Sequence, residues 1–418
     1  MNNNLLCPSV IINENNGRYY ITNLNIGMRV ELNHQGYIIA NMLFAGYNIN
    51  NIISKLSKNN NIELNDIYNF IHELKHLRFM KEHDGYNNWT VEWDITYECN
   101  LNCKHCMVNA GNSLDNELTY EECKNLVDEL FDNHFKIIVF SGGEPLIKPY
   151  FYKLLKYIYN KGFIVKILTN ACLINDSIAK YMSQCNVIYA QVSLDGHNKE
   201  QHEHIRGANT FYSMLRGVES LKKSNINFGM AMVLTNDNYY YLEDTINCAI
   251  KCGASAFSSG ALVQAGRALY AKLMAPTIDS NKLDMICYKL AVKYAKSINY
   301  NNYISTIIRN IKLEEEGYSF NACSRISNGI AVSPNGEISF CKGFFGKCDL
   351  ANTSSNVSFV LGKYPQESLK DILNKRNKYN FDVVDNSYDC QKCEYIKYCK
   401  GGGVQLKYTQ SMENLKYL

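Results

Sequence analysis

The sequence predicts an α/β protein in which a core of repeated strand–helix units lies between two smaller domains. Residues 88–310 form the core, because apolar segments typical of strands alternate there with segments of helical periodicity. Residues 1–85 follow a different order, with strand patterns first and helical patterns after them. Residues 311–418 carry a second set of spaced cysteines. A chain of 418 residues is long enough for three such domains.

The first domain is predicted to be winged-helix-like. Loose alternation from Tyr20 to Leu32 indicates paired strands, and apolar residues spaced by three and four then indicate three short helices. These residues are Tyr37, Ile38, Met42 and Leu43, then Ile49, Ile52, Ile53 and Leu56, then Leu64, Ile67, Ile71, Leu74 and Leu77. Winged-helix domains often bind DNA, but basic residues are not concentrated on any one of these helices, so no nucleic-acid partner is expected. The polar stretch His83-Asp84-Gly85 is predicted to be a linker.

Six strands are predicted in the core. They are Val91–Ile95, Lys136–Phe140, Phe163–Leu168, Val187–Ser193, Asn227–Leu234 and Ser255–Val263. A capping box at Thr119 and Glu122 begins one of the helices between them. Repeated strand–helix units require parallel pairing and right-handed crossovers. Ligand chemistry is therefore expected at the carboxyl ends of the strands.

A CxxxCxxC run follows the first of these strands. Its cysteines are Cys99, Cys103 and Cys106, and no fourth cysteine follows at matching spacing. Electron carriers usually hold a cubane iron–sulfur cluster with four thiolates, so a cluster held by three leaves one iron free to bind a small molecule. Zinc is the alternative, although a lone triad lacks the second cysteine pair that zinc ribbons use.

A second motif follows the second strand of the core. Its residues are Ser141, Gly142, Gly143, Glu144 and Pro145. Consecutive glycines allow a close approach of the backbone to a ligand, and a neighbouring carboxylate can accept hydrogen bonds from an ammonium group. By itself this stretch could also be an ordinary strand-to-helix turn.

Together, CxxxCxxC and GGEP resemble the radical S-adenosylmethionine (radical SAM) superfamily. The resemblance implies a partial (β/α)6 barrel with a [4Fe–4S] cluster on the three cysteines. The open iron of that cluster would chelate the methionyl amine and carboxylate of S-adenosylmethionine. It further implies cofactor contacts at the GGEP residues and at the ends of later strands. Those later residues are Asn170, Ser193 of the SLDG stretch, Arg206, and Ala268 of the Gly266-Arg267-Ala268 turn.

The carboxy-terminal cysteines resemble a SPASM domain, an extension of radical SAM enzymes that carries auxiliary [4Fe–4S] clusters. Cys323 precedes a hairpin that is predicted to turn at Pro334-Asn335-Gly336 and to end at Cys341. The expected ligands are Cys323, Cys341 and Cys348 for one cluster, and Cys390, Cys393 and Cys399 for another. Gly403 stands where the family has a further cysteine, so both clusters could form with a site that is open or filled by a non-cysteine ligand, or one cluster alone could form. A zinc ribbon is the alternative.

Composition excludes several classes of function. The net charge is +3 with 20% charged residues, and no apolar run approaches the ~18–20 residues of a membrane span, so neither a nucleic acid nor a membrane is an expected partner. The amino terminus lacks the pattern of a secretory signal. Sixteen cysteines without such a signal favour metal or redox chemistry in the cytoplasm. His202 and His204 lack a cysteine at ligand spacing and are expected on a solvated helix face.

The first domain also resembles the PqqD-like leader-recognition domains of peptide maturases. The resemblance implies an enzyme that modifies a ribosomally made precursor peptide, with an external electron donor such as flavodoxin or ferredoxin. Thioether formation suits an auxiliary cluster short of one thiolate, whereas carbon–carbon crosslinking and epimerisation use the same core and stay open. No catalytic acid or base is assigned. The non-enzymatic alternative is a zinc-binding winged-helix regulator.

Overall fold

A computed structural model of the chain describes most of the first 301 residues and two segments beyond them. The described ranges are 6–7, 10–15, 17–23, 28–47, 49–59, 66–67, 70–71, 73–74, 79–80, 89–263, 265–278, 280–301, 329–342 and 360–376, together with Phe345. The chain divides into two compact units. One contains residues 1–88 and 314–319, and the other contains residues 89–313 and 320–418.

The first unit contains a three-stranded antiparallel sheet followed by helices. Its elements are β1 (Val10–Asn15), β2 (Arg18–Asn23), β3 (Met28–Leu32), α1 (His34–Phe44) and α2 (Ile49–Asn59). The sheet order is β1-β2-β3, so β1 and β3 each pair on one side among the described strands. The predicted strands and the first two helices are confirmed, and β1 is an additional strand that the sequence pattern did not indicate. In the third predicted helix, Ile67, Ile71 and Leu74 are helical and buried. The predicted linker lies outside the described residues.

The second unit contains the six predicted strands. They are β4 (Trp89–Thr96), β5 (Phe135–Gly142), β6 (Ile164–Thr169), β7 (Val187–Ser193), β8 (Asn227–Leu234) and β9 (Ala256–Ala261), and β10 (Asn299–Asn301) adds to their edge. Every neighbouring pair from β4 to β10 is parallel and sequential. The partial (β/α)6 barrel expected from the sequence is thus confirmed.

Helices follow the strands in turn. They are α3 (Tyr120–Asp132), α4 (Phe151–Asn160), α5 (Asp176–Gln184), α6 (Lys199–Arg206), α7 (Thr210–Lys223), α8 (Leu242–Cys252), the short α9 (Arg267–Tyr270) and α10 (Ser280–Tyr294). The capping box at the start of α3 is present, with the side chains of Thr119 and Glu122 each accepting from the other's backbone N–H.

The core lies between the sheet and these helices. Val91, Trp93 and Ile95 of β4 belong to this core, together with apolar residues of the helices. Because side chains alternate along a strand, Glu92 and Asp94 lie on the opposite face of β4. Sequential parallel strands joined by right-handed crossovers place all the helices on one face of the sheet. The opposite face is therefore the inner face of the barrel.

The sheet continues beyond the barrel into the carboxy-terminal region. The added elements are β11 (Gly329–Val332), β12 (Glu337–Ser339), β13 (Val360–Lys363) and α11 (Leu369–Arg376). The predicted hairpin is confirmed: β11 and β12 are antiparallel, and Gly336 in their turn has φ +83°. The sequence did not indicate that β11 pairs in parallel with β4, which makes one ten-stranded sheet. No helix among the described residues is long and apolar enough to span a membrane.

Candidate active site at the carboxyl ends of the strands

Cys99, Cys103 and Cys106 lie on residues 97–111, which we call the cysteine loop. The loop begins where β4 ends and is closed at its base by backbone hydrogen bonds. The N–H of Cys99 donates to the carbonyl of Gly111, and the N–H of Gly111 donates to the carbonyl of Tyr97, each over 2.9 Å. The cysteines therefore follow the first strand of the barrel at the edge where ligand chemistry is expected.

Glu117 fixes the start of this loop. Its Oε1 accepts from the Thr96 hydroxyl at 3.0 Å and from the N–H groups of Tyr97 at 2.9 Å and Leu114 at 3.1 Å. Its Oε2 pairs with the Lys148 ammonium, and both side chains are nearly buried. Burial alone would raise the pKa of Glu117, but the Lys148 contact and the N–H donors outweigh it and lower the pKa below its ordinary value.

The two glycines of GGEP are required by a close approach to the same stretch of chain. The N–H of Gly143 donates to the carbonyl of Thr96 at 2.8 Å, and the N–H of Glu144 donates to that of Glu98 at 2.9 Å. A Cβ on Gly142 would lie 2.3 Å from the Thr96 oxygen, and one on Gly143 would lie 2.0 Å from the Glu98 oxygen. The GGEP turn thus packs directly against the backbone that leads into Cys99.

A third strand end holds the other side of the cysteine loop. The N–H of Arg267 donates to the carbonyl of Cys106 at 2.9 Å, and its guanidinium donates to that of Ala110 at 3.0 Å. Gly266 has φ +57°, and a Cβ there would lie 2.5 Å from the Cys106 oxygen. The Gly266-Arg267-Ala268 turn therefore positions the last cysteine, and Ala268 itself is fully buried.

Each of the three cysteine sulfurs has a nitrogen donor near it. The Cys99 sulfur accepts from the N–H of Leu101 at 3.4 Å, and the Cys106 sulfur accepts from that of Ala110 at 3.2 Å. The third sulfur, of Cys103, lies 3.9 Å from a guanidinium nitrogen of Arg206. Donors directed at sulfur stabilise thiolates and tune the clusters they hold.

Without a metal, the thiols of Cys99 and Cys103 hold their protons, because the pKa of each is raised. Burial raises the pKa of Cys99 to about 12, and the nearby Glu144, Cys103 and Cys106 add to the increase. Burial likewise raises the pKa of Cys103, although Arg206 opposes it. Metal binding to Cys99 and Cys103 must therefore release protons. Within the described residues, no group of three or more His, Cys, Asp or Glu side chains is spaced to hold a single metal ion.

Glu144 is fully buried and already accepts several hydrogen bonds. Its carboxylate accepts from the Thr169 hydroxyl at 2.9 and 3.0 Å and from the N–H of Asn170 at 2.9 Å. Burial raises its pKa to about 7, while these donors oppose the increase. The structure therefore places Glu144 beside the end of β6, where it ties the GGEP turn to the next strand.

Arg206, at the end of α6, belongs to a buried ionic network. Its Nε donates to Asp195 at 2.5 Å, and its guanidinium also lies 3.3 Å from the Nε2 of His105, a residue of the cysteine loop. Burial alone would raise the pKa of Asp195, but Arg206 and His105 outweigh it and lower the pKa. Burial lowers the pKa of His105 to about 4. The SLDG stretch, the cysteine loop and Arg206 are thus connected by buried polar contacts, in which Asp195 and Arg206 form the ion pair.

The prediction for His202 was wrong. Its side chain is 1% exposed, and its Nδ1 lies 3.4 Å from the N–H of Asp195. It packs toward the sheet because it occupies the inner side of α6, with Ile205 one turn later. His204 is exposed, as expected, and lies 3.3 Å from Asp237. Asp195, seven residues before His202, was the one signal in the sequence that could have indicated a buried histidine.

The other predicted cofactor residues lie at the ends of neighbouring strands. The Asn170 side chain donates to Asn100 of the cysteine loop at 2.9 Å and accepts from the N–H of Cys172 at 2.9 Å. Ser193 is the last residue of β7 and is half-buried. Among the predicted auxiliary ligands, Cys341 is described and lies two residues after the end of β12. Cys323, Cys348, Cys390, Cys393 and Cys399 lie outside the described residues.

The inner face of the barrel carries charged groups that the sequence analysis missed. The Lys342 ammonium lies 3.2 Å from Glu92 and 3.1 Å from the Ser141 hydroxyl. Asp94 on β4 lies opposite Ser141 on β5 in the register of the sheet, and it is 1% exposed. Burial raises the pKa of Asp94 to about 6, against the lowering effect of Lys342. A polar residue at alternate positions of an otherwise apolar strand was the signal for this cluster.

Family models match both cysteine-bearing regions. Residues 93–249 match the radical SAM superfamily, and residues 323–399 match SPASM, an iron–sulfur cluster-binding domain. The chain therefore carries a radical SAM domain followed by a SPASM domain, and it is a radical SAM enzyme of the SPASM family. These domains bind a [4Fe–4S] cluster with S-adenosylmethionine and auxiliary iron–sulfur clusters, respectively. The nitrogen donors around the three loop cysteines fit such a cluster.

Curated relatives include enzymes of two kinds. An AdoMet-dependent heme synthase from Oleidesulfovibrio alaskensis is 26% identical over 321 residues, which are 74% of this chain and 81% of that protein. The mycofactocin maturase MftC of Mycobacterium ulcerans is 32% identical over 166 residues, which are 40% of this chain and 45% of that protein.

Solved structures share the fold. Streptococcus suis SuiB bound to S-adenosylmethionine aligns over 98% of this chain and 96% of its own, with a TM-score of 0.61 and 16% identity. The enzyme anSMEcpe with bound AdoMet and a peptide aligns over 76% of this chain and 89% of its own, with a TM-score of 0.57 and 19% identity.

Proposed function

We propose that this protein modifies a ribosomally synthesised precursor peptide by radical chemistry. The observation that carries the proposal is the combination of a radical SAM–SPASM chain with a separate amino-terminal unit whose small sheet has open edges among its described strands. SuiB, which aligns over nearly the whole chain, has been crystallised with its precursor peptide SuiA. The partner is therefore proposed to be a peptide.

Residues around the cysteine loop would hold the cofactors. Cys99, Cys103 and Cys106 would hold the cluster, which with S-adenosylmethionine supplies a 5′-deoxyadenosyl radical when an external donor such as flavodoxin or ferredoxin provides an electron. The protein's part is to orient the reacting groups and to exclude water. The GGEP turn and the Gly266-Arg267-Ala268 turn would shape the two sides of the pocket.

The remaining predicted contacts would orient S-adenosylmethionine. Asn170 and Ser193, at the ends of β6 and β7, and Arg206 lie on the same edge of the barrel as the cysteine loop. We propose that they contact the methionyl and ribose parts of the cofactor. Arg206 is already fixed by Asp195, so little side-chain entropy would be lost on binding.

The amino-terminal unit is proposed to bind the leader of the precursor. An extended peptide can add a strand to a sheet edge through main-chain hydrogen bonds, and β1 and β3 each offer such an edge among the described strands. Deletion of residues 1–85 should reduce modification of the full-length precursor far more than cofactor cleavage without peptide. Both products can be quantified by liquid chromatography and mass spectrometry. Normal processing by the truncated protein would rule out leader binding.

Thioether formation is the proposed bond type. The substitution of Gly403 for a family cysteine would leave an auxiliary iron able to bind a substrate thiolate. Carbon–carbon crosslinking and epimerisation by the same core are the alternatives within this class. The mass of the product and blocking of its cysteines with iodoacetamide separate these outcomes.

Heme synthesis is a second candidate, because the heme synthase of Oleidesulfovibrio alaskensis aligns over 74% of this chain. The two candidates predict different substrates. Anaerobic incubation with iron-coproporphyrin, and separately with the peptide encoded by an adjoining short open reading frame, distinguishes them. Modified peptide with unchanged porphyrin supports the peptide maturase, whereas porphyrin conversion alone would support heme synthesis.

A further inference from the structure

One buried titratable group near the active site has no part in the proposed cofactor contacts. Asp94 lies on β4 two residues before the strand ends, on the inner face of the barrel, and its side chain is 1% exposed. Neither carboxylate oxygen makes a regular hydrogen bond with the described residues. A buried carboxylate without hydrogen-bond donors destabilises the folded protein, and such groups occur mainly at functional sites.

Asp94 lies close to two other parts of the chain, the GGEP turn and the segment that follows the carboxy-terminal hairpin. A Cβ on Gly142 of the GGEP turn would lie 3.3 Å from the Cβ of Asp94. From the other side, Lys342, the residue after Cys341, reaches the same face and pairs with Glu92 and Ser141. Asp94 therefore lies between the turn beside the cysteine loop and the hairpin of the SPASM domain.

Other buried charges in this region are engaged. Asp195 accepts from Arg206 and from the N–H of Val233, and Glu144 accepts from Thr169 and Asn170. Asp94 differs because neither of its oxygens has a partner at regular hydrogen-bond geometry among the described residues, although the nearby Ser141 hydroxyl lowers its pKa. The inner face is where a substrate residue must lie if the radical is to reach it.

We propose that Asp94 is the proton acceptor for the substrate residue that is crosslinked on the inner face of the barrel. The proposal rests on the proposed function. In a thioether-forming reaction, the substrate carbon gives a hydrogen atom to the 5′-deoxyadenosyl radical, and the substrate S–H gives its proton to an Asp94 oxygen. The C–S bond then forms, and the one remaining electron passes to a one-electron acceptor of the iron–sulfur class.

The surroundings of Asp94 favour this role. The charged groups that face it are Glu92 on its own strand and Lys342 from the hairpin, and β5 contributes the Ser141 hydroxyl. Burial raises the pKa of Asp94 to about 6, so near neutral pH it can both take up and release a proton. Loss of the Lys342 charge should raise that pKa further.

The first test needs no substrate. The infrared difference spectrum of the full-length protein between pH 5 and pH 8 should contain a carboxylic-acid band that is missing in Asp94→Asn. In Lys342→Met the band should titrate at higher pH, with iron content measured to show that the clusters are retained. Asp128→Asn, which removes a carboxylate paired with Lys161 on the helical side, should leave the band unchanged. The absence of a band specific to Asp94 would overturn the proposal.

The second test measures chemistry with the peptide encoded beside the gene, once the wild type is shown to modify it. Asp94→Asn should bind S-adenosylmethionine normally and still form 5′-deoxyadenosine, while crosslinked product falls at least 100-fold; Asp94→Glu should restore part of it. In Lys342→Met, the acid limb of the pH profile of product formation should shift to higher pH. Full product formation by Asp94→Asn, or loss of S-adenosylmethionine binding instead, would overturn the role of Asp94. Failure of the wild type to modify any peptide would overturn the proposed function itself.

Discussion

At the scale of single residues, the glycines of the active site are explained by contact with neighbouring backbone. Gly143 lies against the Glu98 carbonyl, so an added methyl group would meet an atom that cannot move without shifting the entry to Cys99. Gly111, at the end of the cysteine loop, has open space around it, and a methyl group added there would meet no atom of a non-adjacent residue within 4 Å. The two glycines therefore make a matched pair for mutation.

Gly143→Ala should destabilise the protein by about 1–3 kcal/mol or more, because overpacking at a rigid contact forces the backbone to shift. Gly111→Ala should change the free energy of unfolding by no more than about 0.5 kcal/mol. Chemical denaturation of both variants measures the difference. Equal stabilities would show that the Gly143 contact is not a constraint.

Asp94 also makes a prediction for stability. Its folded-state pKa of about 6 lies above its ordinary value of 3.8, so the buried ionised form destabilises the folded protein as the pH rises through this range. Asp94→Asn should therefore raise the melting temperature at pH 8, and its advantage should disappear near pH 4, where Asp94 is protonated in the folded state. Differential scanning fluorimetry across this range provides the measurement. A variant that is less stable at pH 8 would contradict the shift.

At the scale of elements, the cysteine loop is held by turns after two strands and by the end of one helix. The GGEP turn after β5, the Gly266-Arg267-Ala268 turn after β9 and the end of α6 each contact its backbone. Glu117 adds an anchor at the base, through Thr96, Tyr97 and Leu114. Motifs that are far apart in sequence thus support one loop.

Glu117→Ala should loosen this loop, because it removes three hydrogen bonds and leaves Lys148 buried without its partner, a loss of about 3–5 kcal/mol. Hydrogen exchange at the amides of Tyr97 and Leu114 should become faster, and the iron bound per chain should fall. Glu121→Ala removes an exposed carboxylate of the helix that follows and serves as the control. Unchanged exchange in Glu117→Ala would show that the anchor is unimportant.

Much of the arrangement of strands and helices could be predicted from the sequence. Val187–Ser193 and Asn227–Leu234 were predicted with their final bounds, because apolar runs bounded by turns mark buried parallel strands. The capping box at Thr119 was also predicted correctly, because its signal lies within four consecutive residues. His202 was not, because its burial depends on Asp195 and the packing of α6 against the sheet. Contacts such as Lys342 to Glu92 depend on β11 pairing with β4, which no local pattern indicates.

At the scale of the whole molecule, the barrel and the carboxy-terminal hairpin share one sheet. The strand β11 lies beside β4, the strand that leads into the cysteine loop. This pairing brings Lys342 to the inner face of the barrel, and Cys341, a predicted auxiliary ligand, is the residue before it in the chain. The arrangement suits a reaction in which a substrate radical forms near one cluster and gives its electron to another.

Removal of Cys390, Cys393 and Cys399, or separately of Cys323 and Cys341, should therefore leave reductive cleavage of S-adenosylmethionine but block crosslinked product. Hydrogen abstraction needs the first cluster alone, whereas bond formation needs an electron acceptor. Mössbauer spectra of each variant count the clusters that remain. A single cluster per chain with normal product formation would contradict an auxiliary acceptor and favour a redox-neutral reaction such as epimerisation.

The most direct test of the central claim is reductive cleavage of S-adenosylmethionine by anaerobically reconstituted protein. The wild type should form 5′-deoxyadenosine, and the variant with Cys99, Cys103 and Cys106 all changed to alanine should form none while keeping iron in its SPASM domain. These three thiols are the proposed ligands of the radical SAM cluster, so their loss removes the cleavage reaction without removing the auxiliary sites. Undiminished 5′-deoxyadenosine from the triple variant would contradict the assignment of the active site.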